Sequence, residues 1–218
     1  MKYGKSPVYL GQFIVEDKEM MHYQYLPIKF PVTKKFYFYY DFFLEERLQQ
    51  FLEIIRTAIE DFEKTFGADR LKESYIYLTA KRQYQRKDKF FNRAGYHSDG
   101  FMTDDINYIW CDKNPTVFNN SGFNLCKDDQ LSLHQMKQQA LKHNDHVYPV
   151  NSLLRLDQYS IHKVNEEIEE GLRTFVKISF SKDKYDLEGN SHNYELDYNW
   201  EMKPRNKSRN IPQTEIKK

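Results

Sequence analysis

Apolar residues recur along this chain in two rhythms. Between Leu44 and Phe66 they fall at helical spacing: Leu44, Leu48, Phe51, Leu52, Ile55, Ala58, Ile59, Phe62 and Phe66, with charged residues on the other face. That spacing predicts an amphipathic helix of about six turns lying against a sheet. Gly67 follows as its stop. Elsewhere the rhythm is alternation. Residues 74–79 (SYIYLT), 106–111 (INYIWC), 152–162 (SLLRLDQYSIH) and 172–181 (LRTFVKISFS) read as strands, and 193–200 as a further candidate. Residues 7–40 are rich in Tyr, Phe and Val and punctuated by Pro27 and Pro31, which predicts one or two strands joined by turns. Ser132 and Gln135 have the spacing of a capping box, so a short helix through Leu133, Met136 and Ala140 is expected, ending near Asn144. Lys163 to Gly171 reads as a polar turn. Helices come early, strands come late, and there is no βαβ rhythm. The fold class expected is mainly β with flanking helices, an antiparallel sandwich or barrel with helices packed on one side.

Composition narrows the class. The chain has 218 residues, 39% hydrophobic and 30% charged, as in an ordinary globular domain. The 17 Tyr and 16 Phe agree with a strand-rich fold. The longest wholly apolar run, Phe36 to Tyr40, is far too short to span a bilayer, so no membrane partner is expected. The first residues lack an unbroken apolar core and a small-residue cleavage site, so they do not read as a secretory signal. Cys111 and Cys126 are then expected as reduced thiols in a cytoplasm. Net charge is +1, but residues 203–218 carry six basic side chains against Glu215 alone, a net +5 that leaves −4 on the rest. The organisation expected is one domain over 1–202 and a basic, mobile tail over 203–218. Tyr-rich strands can stack bases, but −4 outside the tail argues against a phosphate track, so nucleic acid is not the favoured partner.

Chemistry concentrates in one ordered set of residues. His97 and Asp99 lie two apart in Gly95-Tyr96-His97-Ser98-Asp99-Gly100, and on an extended chain such residues share a face. His162 ends an apolar-patterned segment with Leu154, Leu156, Tyr159 and Ile161. Arg173, Phe175, Lys177 and Ser179 share one face of the next strand. Two cations on one face of a largely apolar strand call for an anion. That anion is either a ligand or, for Arg173, a local Glu169 or Glu170. Two histidines and a carboxylate with open positions form the facial triad of non-haem Fe(II) oxygenases. Competing readings are a metal site at His143-x-x-His146 and a nucleophilic Cys111, although the apolar setting of Cys111 reads better as a buried thiol.

In YHSDG (Tyr96–Gly100), YSIH (Tyr159–His162) and the strand from Arg173, the sequence resembles the Fe(II)- and 2-oxoglutarate-dependent oxygenase superfamily. The resemblance covers about residues 75–181, with the first 70 residues as added support. It implies a double-stranded β-helix (jelly-roll, cupin-like) core, Fe(II) on His97, Asp99 and His162, and 2-oxoglutarate and O2 as co-substrates. Arg173 would take the distal carboxylate of 2-oxoglutarate, with Lys177 sharing it. Tyr108 would be a further co-substrate contact, and Asn92 and Arg93 could face a substrate. The implied activity is hydroxylation coupled to release of succinate and CO2. Phe175 departs from the pattern, since members often carry a small polar residue two positions after the Arg. Two other classes stay open: a metal-binding jelly-roll without turnover, and an interaction module using aromatic strands and the basic tail.

Overall fold

The structure, a computed structural model, describes residues 2–16, 19–31, 42–87 and 94–205. Residues 36–40, Asn92, Arg93 and the tail from 206 onward lie outside the described residues. Among the described residues, nine strands form two antiparallel sheets. They are β1 (Val8–Gln12), β2 (Met21–Lys29), β3 (Tyr75–Gln85), β4 (Ile106–Cys111), β5 (Val117–Asn119), β6 (Asp145–Val147), β7 (Ser152–Leu156), β8 (His162–Lys163) and β9 (Gly171–Ser181). The larger sheet runs β1-β7-β4-β9-β3-β2 and the smaller β6-β5-β8. Mainly β with antiparallel sheets and a few helices, the fold is consistent with a β-sandwich.

The larger sheet is covered on one face by helix α1 (Leu52–Phe66), entered through a 3₁₀ turn at Glu46–Phe51. Leu48, Phe51, Ile54, Ile55, Ala58, Ile59 and Phe62 bury their stripe against Ile76, Leu78, Tyr108, Trp110, Val176 and Phe180. Gly67 ends α1 with φ +90°, a conformation that a side chain would strain, and the short helix α2 (Ala68–Glu73) follows. The opposite face of the sheet meets the smaller sheet, where Phe118 packs with Ile109, Leu154 and Leu156. The candidate chemistry lies in this second interior.

Four sequence expectations change. The segment 152–162 is not one strand. Asp157 Oδ1 accepts the Tyr159 N–H at 2.9 Å and its carbonyl accepts the Ser160 N–H at 3.1 Å, turning the chain after β7. His162 is thereby delivered to the smaller sheet. Helix α3 (Asp129–Gln139) exists, but its cap is Asp128, whose Oδ1 accepts the N–H groups of Gln130 and Leu131. The expected capping residue Ser132 lies inside the helix and donates to the Asp129 carbonyl. Residues 193–200 form turns rather than a strand, with Asn193 holding the carbonyls of Pro27 and Phe43. At the start of the expected tail, Lys203 pairs with Asp186 at 2.8 Å and Arg205 donates to the Glu188 carbonyl, so these residues are anchored. No helix among the described residues is long and apolar enough to cross a membrane.

Candidate metal centre between the sheets

The loop before β4 and the start of β8 are tied by backbone. His97 N–H donates to the His162 carbonyl and His162 N–H to the His97 carbonyl, both at 2.9 Å. This two-residue bridge adds His97 to the edge of the smaller sheet and sets the imidazole centroids 4.5 Å apart. Gly100, at φ +67°, turns the chain out again; a β-carbon there would meet Thr103 Oγ1 at 2.7 Å. Ligand atoms of His97, Asp99 and His162 all lie within 4.8 Å of one another.

Each histidine is oriented by its own backbone. His97 Nδ1 is 2.9 Å from the Gly95 carbonyl and His162 Nδ1 is 3.0 Å from the Ser160 carbonyl. A carbonyl only accepts, so the proton sits on Nδ1 and the lone pair on Nε2. Such outer hydrogen bonds fix ring and tautomer in metal-binding histidines. Two imidazole nitrogens and one carboxylate are a donor set suited to a divalent iron with open positions.

Asp99 has a second partner that the sequence did not reveal. Lys177 Nζ, on β9, donates to Asp99 Oδ2 at 3.2 Å and to the Tyr25 hydroxyl at 3.1 Å. Burial alone would raise the Asp99 pKa, but Lys177, then His162 and His97, outweigh it and hold the carboxyl well below the usual range. Burial would lower the Lys177 pKa, but Asp99 and Tyr25 outweigh it and hold the ammonium above its usual value. Lys177 is thus paired with Asp99, a partner beyond the co-substrate carboxylate expected for it. Tyr25 reaches it from a bulge in β2, with φ +48°, a left-handed conformation costly for a bulky residue.

Arg173 lies on the same face of β9, four residues before Lys177. It is 8% exposed, donates from Nε to the Lys113 carbonyl at 2.7 Å, and lies 5.1 Å over the Phe175 ring. Among the described residues it has no carboxylate partner. Glu169 is taken by Lys113 at 2.7 Å and Glu170 by the Lys87 N–H at 3.1 Å. Cys111 is beside it, a buried free thiol whose pKa burial pushes up, with Arg173 opposing. This is the setting of a packed thiol, not an activated one.

Tyr108 is not in this interior. Alternation along β4 puts Ile109 on the side of the smaller sheet, opposite Lys177, and turns Tyr108 toward α1. Its hydroxyl donates to Asp61 Oδ2 at 2.8 Å, and Arg155 Nη1 reaches the same oxygen at 2.7 Å. Tyr108 is therefore a joint between helix and sheet rather than a co-substrate contact. Tyr108→Phe removes a hydrogen bond to a charged acceptor, so urea denaturation should show a loss of about 1.5–3 kcal/mol. Fe(II) affinity should stay unchanged.

Two further residues face the interior without having been singled out for it. Lys81 pairs in register with Phe175, which places it on the Lys177 face; burial, with Lys177 and Arg205, pushes its pKa down to about 8. His146 stands opposite Phe118 in β6, with a buried Nε2 that has no hydrogen-bond partner among the described residues. The competing His143-x-x-His146 metal pair does not form part of a ligand cluster among the described residues. Lys81 was hidden because its place depends on the β3–β9 register.

No family model matches the chain, and no curated protein matches it. Among solved structures it is similar to EvdO2 from Micromonospora carbonacea var. aurantiaca, at 10% identity and TM-score 0.39, over 62% of this chain and 64% of that one. It is also similar to a bsmA homolog from Methylobium petroleophilum PM1, at 13% identity and TM-score 0.37, over 76% of this chain and 65% of that one. The chain thus spans just under two thirds of each of these proteins.

Proposed function

We propose that this protein is a non-haem Fe(II)- and 2-oxoglutarate-dependent dioxygenase that hydroxylates a substrate, with a double-stranded β-helix as its core. The observation that carries the reading is the convergence of His97, Asp99 and His162 ligand atoms within 4.8 Å, from a loop and a strand 65 residues apart in number. Two features support the core. Strands β4, β7 and β9 lie in the larger sheet and β5 and β8 in the smaller, so the chain crosses repeatedly between facing sheets. The metal-binding residues sit between those sheets.

His97 and His162 would hold Fe(II) through Nε2, and Asp99 through its carboxylate. Bound iron would supply the dioxygen activation that couples 2-oxoglutarate decarboxylation to hydroxylation. The chain's own residues orient and enclose. The Gly95 and Ser160 carbonyls fix the imidazoles. Lys177 holds one oxygen of Asp99 and keeps the carboxylate ionised. Arg173, buried without a carboxylate among the described residues, offers its guanidinium fork to the distal carboxylate of the keto acid. Ile109, Leu154, Leu156 and Phe118 keep that side of the interior apolar, where charge pairing is stronger than in water.

The test is conversion of 2-oxoglutarate to succinate, followed by chromatography with Fe(II) and O2 across peptide, nucleobase and small-metabolite substrates. The reading expects succinate from the parent and none from His162→Ala. Saturable Fe(II) binding without succinate on any substrate would leave the metal-binding jelly-roll.

A further inference from the structure

We propose that Tyr185 is a one-electron redox site. It gives an electron toward the metal-binding residues through Tyr25 and passes its phenolic proton to Asp105. The inference rests on the metal reading above and adds to it a function for residues that bind neither iron nor 2-oxoglutarate.

Three observations carry it. First, the Lys177 ammonium and the Tyr25 ring join the metal-binding residues to Tyr185. Lys177 Nζ bridges Asp99 at 3.2 Å and the Tyr25 hydroxyl at 3.1 Å, and the Tyr25 ring meets Tyr185 edge-on at 5.1 Å between centroids. The Tyr25 backbone is held at φ +48° to put that ring there. Second, Tyr185 has a base in place. Its hydroxyl donates to Asp105 Oδ2 at 2.7 Å, within proton-transfer reach. Burial, then Asp105, pushes the phenol pKa well above its usual value, so Tyr185 is a neutral phenol that must shed a proton when oxidised. Third, the next ring lacks such a base. Tyr77 stacks on Tyr185 at 4.2 Å and 7°, but its hydroxyl donates to the Asp183 backbone carbonyl, which cannot take a proton. Oxidation therefore comes to rest on Tyr185.

The other tyrosine–carboxylate pair near the site is less suited. Tyr96 donates to Asp145, but Asn119 at 2.6 Å and Lys163 at 3.3 Å also hold that carboxylate and weaken it as a base. Asp105 is 8% exposed and packs against Gly100, in the loop that carries Asp99. The Tyr185 pair thus sits behind the ligand loop, placed to take up an oxidising equivalent derived from dioxygen or peroxide when no substrate does. Tyr185 loses one electron to that oxidant and its proton to Asp105. A small soluble reductant returns the electron, and Asp105 returns the proton.

The test uses the full chain, loaded anaerobically with Fe(II), without 2-oxoglutarate, and mixed with one equivalent of hydrogen peroxide. Peroxide takes two electrons and two solvent protons to become two waters. One electron comes from Fe(II), which ends ferric, and the other from Tyr185. Frozen samples should show a tyrosyl radical by electron paramagnetic resonance. The signal should be lost in Tyr185→Phe and in Asp105→Asn, which keeps an acceptor oxygen but no base. Fe(II) stoichiometry should stay unchanged in both. With a small nitroso spin trap present, which combines with the radical, peptide mass spectrometry of the parent should find the trap adduct on Tyr185 without recourse to any variant. With Fe(II) bound, no radical in the parent, a radical that persists in Tyr185→Phe, or one lost in Tyr96→Phe instead, overturns this inference alone. Failure of the parent to bind Fe(II) removes the metal reading and this inference with it.

Discussion

Arg173→Ala is expected to weaken 2-oxoglutarate binding by about two to three decades while leaving Fe(II) affinity nearly intact. Removing one partner of a buried charge pair costs roughly 3–5 kcal/mol, at 1.4 kcal/mol per decade. Arg173 is 8% exposed, and its Nε donates to a backbone carbonyl, which leaves the guanidinium charge for an anion. The strand can survive this truncation, because the β3–β9 backbone ladder does not involve the side chain. Anaerobic calorimetry of parent and variant reads the change. Equal affinity would remove Arg173 from the co-substrate site. Arg173→Lys should recover only part of the loss, since an ammonium has no planar fork.

The second large effect is on stability. Asp99→Ala should cost roughly 3–5 kcal/mol in metal-free protein, because it strands the Lys177 ammonium in the interior. Side-chain exposure is 10% for Lys177 and 23% for Asp99, so solvent does little to screen the pair. Adding Lys177→Met to Asp99→Ala should recover most of the loss, since an apolar side chain of similar length replaces the stranded charge. Urea denaturation of parent, both single variants and the double variant closes the cycle. Additive losses would mean that the 3.2 Å contact is not an energetic pair.

How far the sequence foretold this structure depends on the range of each interaction. The α1 stripe was legible because one helix face is buried against one sheet face, so a 3.6-residue period survives intact. Strand β4 was found with its bounds, yet all six of its residues are buried, on two different faces. Its pattern therefore carries no sign of which face Tyr108 joins, and only the register of Ile109 with Lys177 decides. The α3 cap was misplaced because Asp128 and Ser132 are both competent capping residues, and Asp128 comes first. Asp157 broke the expected 152–162 strand through a turn of its own side chain, which alternation cannot express.

The site shows the same division. His97 and Asp99 share a short segment, and their convergence follows from local geometry. His162 joins them through a backbone bridge to His97 that its own strand does not announce. Lys177 was visible as a cation on the right face of β9, but its partner Asp99 lies 78 positions earlier and was read as a metal ligand alone. Tyr25, Asp105 and Tyr185 come from three separate segments, and nothing in their local sequence links them.

The most direct measurement is anaerobic Fe(II) titration of the parent chain and of His97→Ala, read by calorimetry and by visible absorption with and without 2-oxoglutarate. The account predicts saturable binding of a single Fe(II) per parent chain, with a weak visible charge-transfer band only when 2-oxoglutarate is also present. Both should be lost in His97→Ala, with its denaturation midpoint close to that of the metal-free parent. Fe(II) binding of equal affinity in His97→Ala, or no saturable binding in the parent, would contradict it.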